Sequence, residues 1–141
     1  MKIVIIGADG QLGMDLMDVF SDLNPIPQTI SDFRVENFES VNQTLTTIKP
    51  DVVINTAAYH KVDDCEKNPD ISFQVNAIGA FNLAKITESL GVQLVHISTD
   101  YVFDGAKQAP YIESDLPNPL NVYGVSKLAG EHLIRAYSSR Y

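Results

Sequence analysis

The sequence has 141 residues, 45% apolar and 20% charged, which suits one soluble globular domain and leaves no room for two full ones. A formal net charge of −8 argues against a broad electrostatic footprint for nucleic acid or an anionic membrane, although backbone amides at a helix start hold a phosphate without surplus Lys or Arg. The single cysteine, Cys65, excludes an internal disulfide and a Cys-rich metal site. The apolar run Ile3 to Ile6 is too short for a signal core or a membrane span, so a cytoplasmic domain is expected.

Lys2 to Ile6, rich in β-branched residues, predicts a strand buried on both faces of a parallel sheet. After the turn Gly7 to Gly13, a helical pattern places Leu12, Leu16, Val19 and Phe20 on one side. Ile26 to Ile30 is a short second strand. Asn37 is a good N-cap for a helix through Ile48, with Phe38, Val41, Leu45 and Ile48 at helical spacing, and Lys49 and Pro50 stop it. Asp51 to Asn55 predicts a third strand, and His60 to Asn68 a polar loop. Pro69 opens a long helix that ends near Leu90 and is closed by Gly91. Val92 to Ile97 predicts a fourth strand, Ser98 to Asn118 a loop rich in Asp, Pro and Gly, and Leu120 to Tyr137 a last helix. The alternation implies a doubly wound parallel α/β sheet of Rossmann type. A further strand is expected after Tyr141. A chain ending there is expected to expose apolar edge surface and to associate.

Two clusters carry chemistry. Gly7-Ala8-Asp9-Gly10-Gln11-Leu12-Gly13 spaces glycines at three-residue intervals between a strand and a helix. Gly7 permits the turn, Gly10 clears the approach of a pyrophosphate, and Gly13 lets the helix pack on the sheet, with Gln11 and Leu12 at the dipole-positive helix start. Asp9 is expected to point to solvent. The second cluster is Ser98-Thr99-Asp100 at a strand end, followed by Tyr123-Gly124-Val125-Ser126-Lys127, which puts a phenol and an ammonium on one helical face. A neighbouring cation lowers a phenol toward the working range of an acid–base catalyst. His60, His96 and His132 are scattered and show no ligand spacing, so no metal site is read from them.

These residues together resemble the extended short-chain dehydrogenase/reductase superfamily and, within it, the dTDP-4-dehydrorhamnose reductase family. The resemblance covers the whole chain and is most specific in Gly7–Gly13, Asn55–Tyr59, Val75-Asn76-Ala77, Ser98–Gly105 and Asn121–Glu131. It implies that residues 1–141 form the NAD(P)-binding domain, that the family's C-terminal substrate lobe is absent from the chain, and that a chain without it is inactive alone. It implies an enzyme using NADPH or NADH, with catalytic Thr99, Tyr123 and Lys127. Tyr123 would protonate a sugar C4 carbonyl, Lys127 would bind the nicotinamide ribose and lower the Tyr123 pKa, and Thr99 would hold the reacting oxygen. Asp100 and Tyr101 would lie beside a dTDP-linked 4-keto-6-deoxysugar. Ala57, Ala58, Tyr59 and Ser98 would line the cofactor, while Asn76 braces backbone. The segment Ser31-Asp32-Phe33-Arg34 departs from the family. Asp32 would bond an adenosine ribose and favour NAD, Arg34 would take a 2′-phosphate and favour NADP, and the choice stays open. So do a homodimer, an epimerase or dehydratase of the same superfamily, and a non-catalytic NADP-binding regulatory subunit.

Overall fold

The computed structural model describes residues 1–141 and contains a four-stranded, all-parallel sheet of order β2-β1-β3-β4. The strands are β1 (Ile3–Ile6), β2 (Ile26–Gln28), β3 (Val52–Asn55) and β4 (Gln93–His96). β1 is wholly buried, as its unbroken apolar run requires. Alternate residues divide between the faces. Val4, Ile6, Val53 and Leu94 join the larger core with α2 (Phe38–Ile48) and α5 (Gly79–Leu90), whereas Ile3, Ile5 and Ile54 meet α1 (Gln11–Val19). Helices therefore cover both faces. Because β2 lies on one side of β1 and β3 on the other, the chain reverses its winding at β1, which opens a crevice at the carboxyl ends of β1 and β3.

The expected helix caps are present. The Asn37 side chain accepts from Ser40 N at 3.0 Å, and Lys49 ends α2 in the left-handed region at φ 53°. Gly91 closes α5 at φ 69°. The packed stripe of α1 differs from the expected one: Leu16, Met17 and Phe20 touch the sheet, but Leu12 and Val19 are 42% and 72% exposed. The stripe runs 13, 16, 17, 20, and it centres on the glycine that lets α1 approach most closely. Leu12 precedes the point of contact and turns to the crevice.

Two elements were not expected. Within the segment read as a polar loop lies α3 (Val62–Lys67), with Asp63 and Asp64 in its first turn and Lys67 in its last, each matching the helix dipole. Six residues with a single buried one, Cys65, are too few to show a period. The long helix from Pro69 is also not uniform. It comprises α4 (Pro69–Phe73), a π-helical turn over Gln74–Ile78, and α5. The last helix, α6 (Val122–Tyr137), packs on that π turn and on α5. Leu94 N donates to Arg140 O at 2.8 Å on the outer edge of β4, where Val95 is 40% exposed. No helix is long and apolar enough to cross a membrane.

A Cβ on Gly13 would lie 2.1 Å from Gly7 O and 2.8 Å from Ala8 Cα, both backbone atoms of the turn, whereas one on Gly10 would meet only Gly7 O, at 3.2 Å. Gly13→Ala should therefore cost about 2–3 kcal/mol of stability, and Gly10→Ala at most about 1 kcal/mol. Urea denaturation of both variants checks this; equal losses would contradict the assignment of Gly13 to packing and of Gly10 to access.

Candidate active site

A cavity of about 620 Å³ occupies the crevice. Its floor is the turn after β1, where Gly7 (φ 79°) and Ala8 donate to Gln28 O at 2.8 and 3.2 Å. Thr56 Oγ1 donates to Ile6 O at 2.8 Å and so binds the end of β3 to this turn. Gly10 caps α1 with no side-chain hydrogen bond, which leaves the leading amides of α1 without a side-chain acceptor at the cavity wall formed by Gly10, Gln11, Leu12 and Gly13. An uncapped, dipole-positive helix start beside open space suits an anion. Asp9, exposed, also stands at the rim.

The far wall brings the second cluster to the same cavity. Ala57, Ala58, Ser98, Tyr123 and Lys127 line it. Tyr123 sits in the first turn of α6, which is fixed from three sides. Asn121 Oδ1 accepts from Gly124 N at 2.8 Å, and Glu66 Oε1 on α3 accepts from Val122 N at 2.7 Å. Gly124 in turn allows close approach to the loop after β4, since a Cβ there would fall 2.2 Å from Tyr101 O. Burial raises the Tyr123 phenol above its ordinary 10.0, while the nearby Thr99 hydroxyl opposes that rise. Tyr101 packs edge-on against Tyr123 at 5.7 Å between ring centroids. Thr99 Oγ1 accepts from Tyr101 N at 3.2 Å and donates to Asp100 Oδ1 at 3.3 Å. Thr99, Asp100 and Tyr101 thus adjoin the phenol beyond the main cavity wall.

Two expected cavity residues, Asp32 and Tyr59, are not in the wall. The Asp32 carboxylate accepts from Thr29 N and Thr29 Oγ1 at 2.7 and 3.0 Å, closing its own turn, and it is not in the wall; Arg34 is. Tyr59 is held through its backbone, its N donating to Asn76 Oδ1 at 2.8 Å and its O accepting from Asn76 Nδ2 at 3.0 Å. Asn76 braces backbone as expected, and it also donates to Ser126 Oγ at 2.9 Å. Ser98 lines the cavity, but its hydroxyl is committed to Glu131.

The sequence reading missed His96, Asn55 and Glu66. Lys127, only 1% exposed, donates from Nζ to Ile97 O at 2.6 Å and has His96 Nε2 at 3.3 Å; the other ring nitrogen of His96 meets Asn55 Nδ2 at 2.9 Å. The available signal was a histidine near the carboxyl end of the predicted strand Val92 to Ile97, the sheet edge where ligands bind and a polar side chain needs a partner. The loop that follows is ordered by Asp104, which accepts from Asn118 Nδ2, Ala106 N and Tyr111 Oη, each at 2.9 Å, with the Phe103 and Tyr111 rings stacked at 4.2 Å.

Burial, and then the charge of Lys127, push the His96 pKa from 6.5 down to about 3. Between those values the unfolded chain binds a proton that the folded protein refuses, so stability falls as pH drops through this window. The carboxylates with lowered pKa values, Glu88, Asp104 and Asp115, start from 4.5, 3.8 and 3.8, so their losses begin lower. From pH 6.5 to 4.5 the stability of His96→Gln should therefore decline less steeply than that of the wild type. Urea midpoints across this range check it, and parallel slopes would contradict a buried neutral His96.

The model of the RmlD substrate binding domain matches residues 1–141. The chain is 40% identical over 136 residues to the spore coat polysaccharide biosynthesis protein SpsK of Bacillus subtilis, covering 95% of this chain and 48% of that protein. It is 35% identical over 148 residues to the dTDP-4-dehydrorhamnose reductase of Escherichia coli, covering 100% of this chain and 49% of that protein. A solved dTDP-4-dehydrorhamnose reductase from Clostridium acetobutylicum superposes with a TM-score of 0.96 at 43% identity, over 100% of this chain and 51% of that one. Another, from Bacillus anthracis in complex with NADP, gives 0.95 at 39% identity, over 100% and 52%. The chain spans about half the length of these relatives. With a family model matched from its first residue to its last, the chain belongs to the RmlD substrate binding domain family.

Proposed function

We propose that this chain is the NAD(P)-binding domain of a cytoplasmic reductase that acts on a dTDP-linked 4-keto-6-deoxysugar. One observation carries the reading: the uncapped start of α1 and the Tyr123/Lys127 face of α6 line a single cavity. The relatives named above as dTDP-4-dehydrorhamnose reductases support the substrate class, and the NADP complex of one of them supports the cofactor.

The cavity fits a dinucleotide on its own geometry. The cavity beside Gly10 and the free amides of Gln11 and Leu12 would receive the pyrophosphate, and Ala57 and Ala58 offer a wall without bulky side chains. Lys127, fixed at Ile97 O, would hold the nicotinamide ribose. A reduced nicotinamide, when bound, supplies hydride to the carbonyl carbon. Tyr123 supplies the proton to the carbonyl oxygen: its raised pKa keeps the phenol protonated at neutral pH, the state an acid requires. Thr99 would share a hydrogen bond with that oxygen. Asp100 and Tyr101 would contact the sugar from the loop edge.

For the adenosine end, Asp32 is occupied by Thr29 while Arg34 stands in the wall, its Nε bonded to Glu36 Oε1 at 2.6 Å. The remaining guanidinium donors are those that would take a 2′-phosphate, which favours NADP(H).

The test uses the protein carrying this chain, with NADPH or NADH and a dTDP-4-keto-6-deoxysugar, followed by loss of reduced nicotinamide absorbance. Substrate-dependent oxidation is expected, and Tyr123→Phe should lower turnover by about 10²–10⁴-fold with cofactor affinity unchanged. Arg34→Ala should weaken NADPH binding and spare NADH. Near-normal turnover of Tyr123→Phe would reject the acid role, and equal effects on both cofactors would reject Arg34 as the phosphate ligand.

A further inference from the structure

His96 joins Asn55 to Lys127, and the chemistry of these three groups fixes where the ring proton lies. Ala57 N donates to Asn55 Oδ1 at 3.1 Å, which sets the orientation of the Asn55 amide and turns its Nδ2 toward His96 Nδ1, 2.9 Å away. An amide nitrogen only donates, so Nδ1 accepts and the ring proton of neutral His96 belongs to Nε2. Nε2 lies 3.3 Å from Nζ of Lys127, whose other protein partner is Ile97 O. Against an ammonium this places donor against donor; against an amine, Nε2–H finds a lone pair.

We infer that His96 is a positioning residue for Lys127, its ring proton fixed on Nε2 by the Asn55 amide and aimed at Nζ so as to favour the proton-accepting amine over the ammonium. Burial acts in the same direction. It takes Lys127 from 10.5 to about 8, with Glu131 on the same helix pulling it back up, and His96 itself stays neutral. The groups facing the pair are Asn55 from β3, Ile97 O after β4 and Glu131 from α6, of which Glu131 is charged and also accepts from Ser98; Tyr123 shares the cavity wall with Lys127. Lys127 therefore exchanges a proton close to neutrality, in a pH range where the Tyr123 phenol keeps its own. Resting on the reductase reading, this makes Lys127 a nitrogen whose charge is adjustable beside the ribose it would hold.

The hydrogen-bond direction is measured without turnover. Long-range ¹H–¹⁵N correlation on ¹⁵N-labelled protein above pH 8, where Lys127 has lost its proton, should show His96 protonated at Nε2, and a Lys127 Nζ titration should centre near 8. Asn55→Asp keeps an oxygen for Ala57 N but replaces the donor facing Nδ1 with an acceptor. It should move the ring proton to Nδ1, turn Nε2 into an acceptor and raise the proton affinity of Lys127 about tenfold or more. A wild-type ring proton on Nδ1, or a Lys127 that titrates as an ordinary lysine, overturns the inference. If Asn55→Asp does not fold, the wild-type tautomer alone decides. Because neither readout needs a substrate, absence of reductase activity would sink the reading of function and leave this result standing.

Discussion

Lys127 is the largest side chain in this protein that is fully buried, and an amine removed from water must find partners or lose its charge. Its partners are not on its own helix. Ile97 O and the His96 ring come from the end of β4, so both requirements hold only if α6 crosses the sheet at one height and one rotation. A single amine thus constrains the position of α6.

The means of seating α6 are visible in what it packs against. The π-helical turn at Gln74–Ile78 brings Asn76 to the helix, where it joins Tyr59 backbone to Ser126, and Ser126 Oγ also meets Ser72 Oγ at 2.9 Å. A Cβ on Gly130 would stand 2.5 Å from Asn76 O, so the helix backbone rests directly on that turn. At its first turn, Asn121 and Glu66 supply the acceptors that an exposed helix start lacks. Tyr123 is thereby delivered to the cavity whose opposite wall is the bare start of α1. The two clusters, far apart in sequence, meet because β1, β3 and β4 are adjacent in the sheet and present their carboxyl ends at one edge.

What the sequence disclosed was mostly local and periodic. β1, β3, β4 and the caps at Asn37, Pro69 and Gly91 follow from apolar runs and cap chemistry that act within a few residues. The glycine turn and the Tyr123/Lys127 pair were legible for the same reason. Hidden were features settled by contacts across the fold. Nothing near Asp32 says that Thr29 will bond its carboxylate, nor does the loop after Ala58 say that Asn76 will bind the Tyr59 backbone. The π turn leaves no periodic trace over five residues. His96 looked like one of several scattered histidines, because its partners Asn55 and Lys127 are 41 and 31 residues away.

The proposed function requires the crevice at β1 and β3 to receive a dinucleotide by its pyrophosphate. Backbone amide NMR during titration with NADPH tests this most directly. Saturable shifts should gather at Gly10, Gln11, Leu12 and Gly13 and at Ala57 and Ala58, the two walls of the cavity. Saturable shifts confined to the loop from Asp104 to Asn118, or none at all, would contradict it.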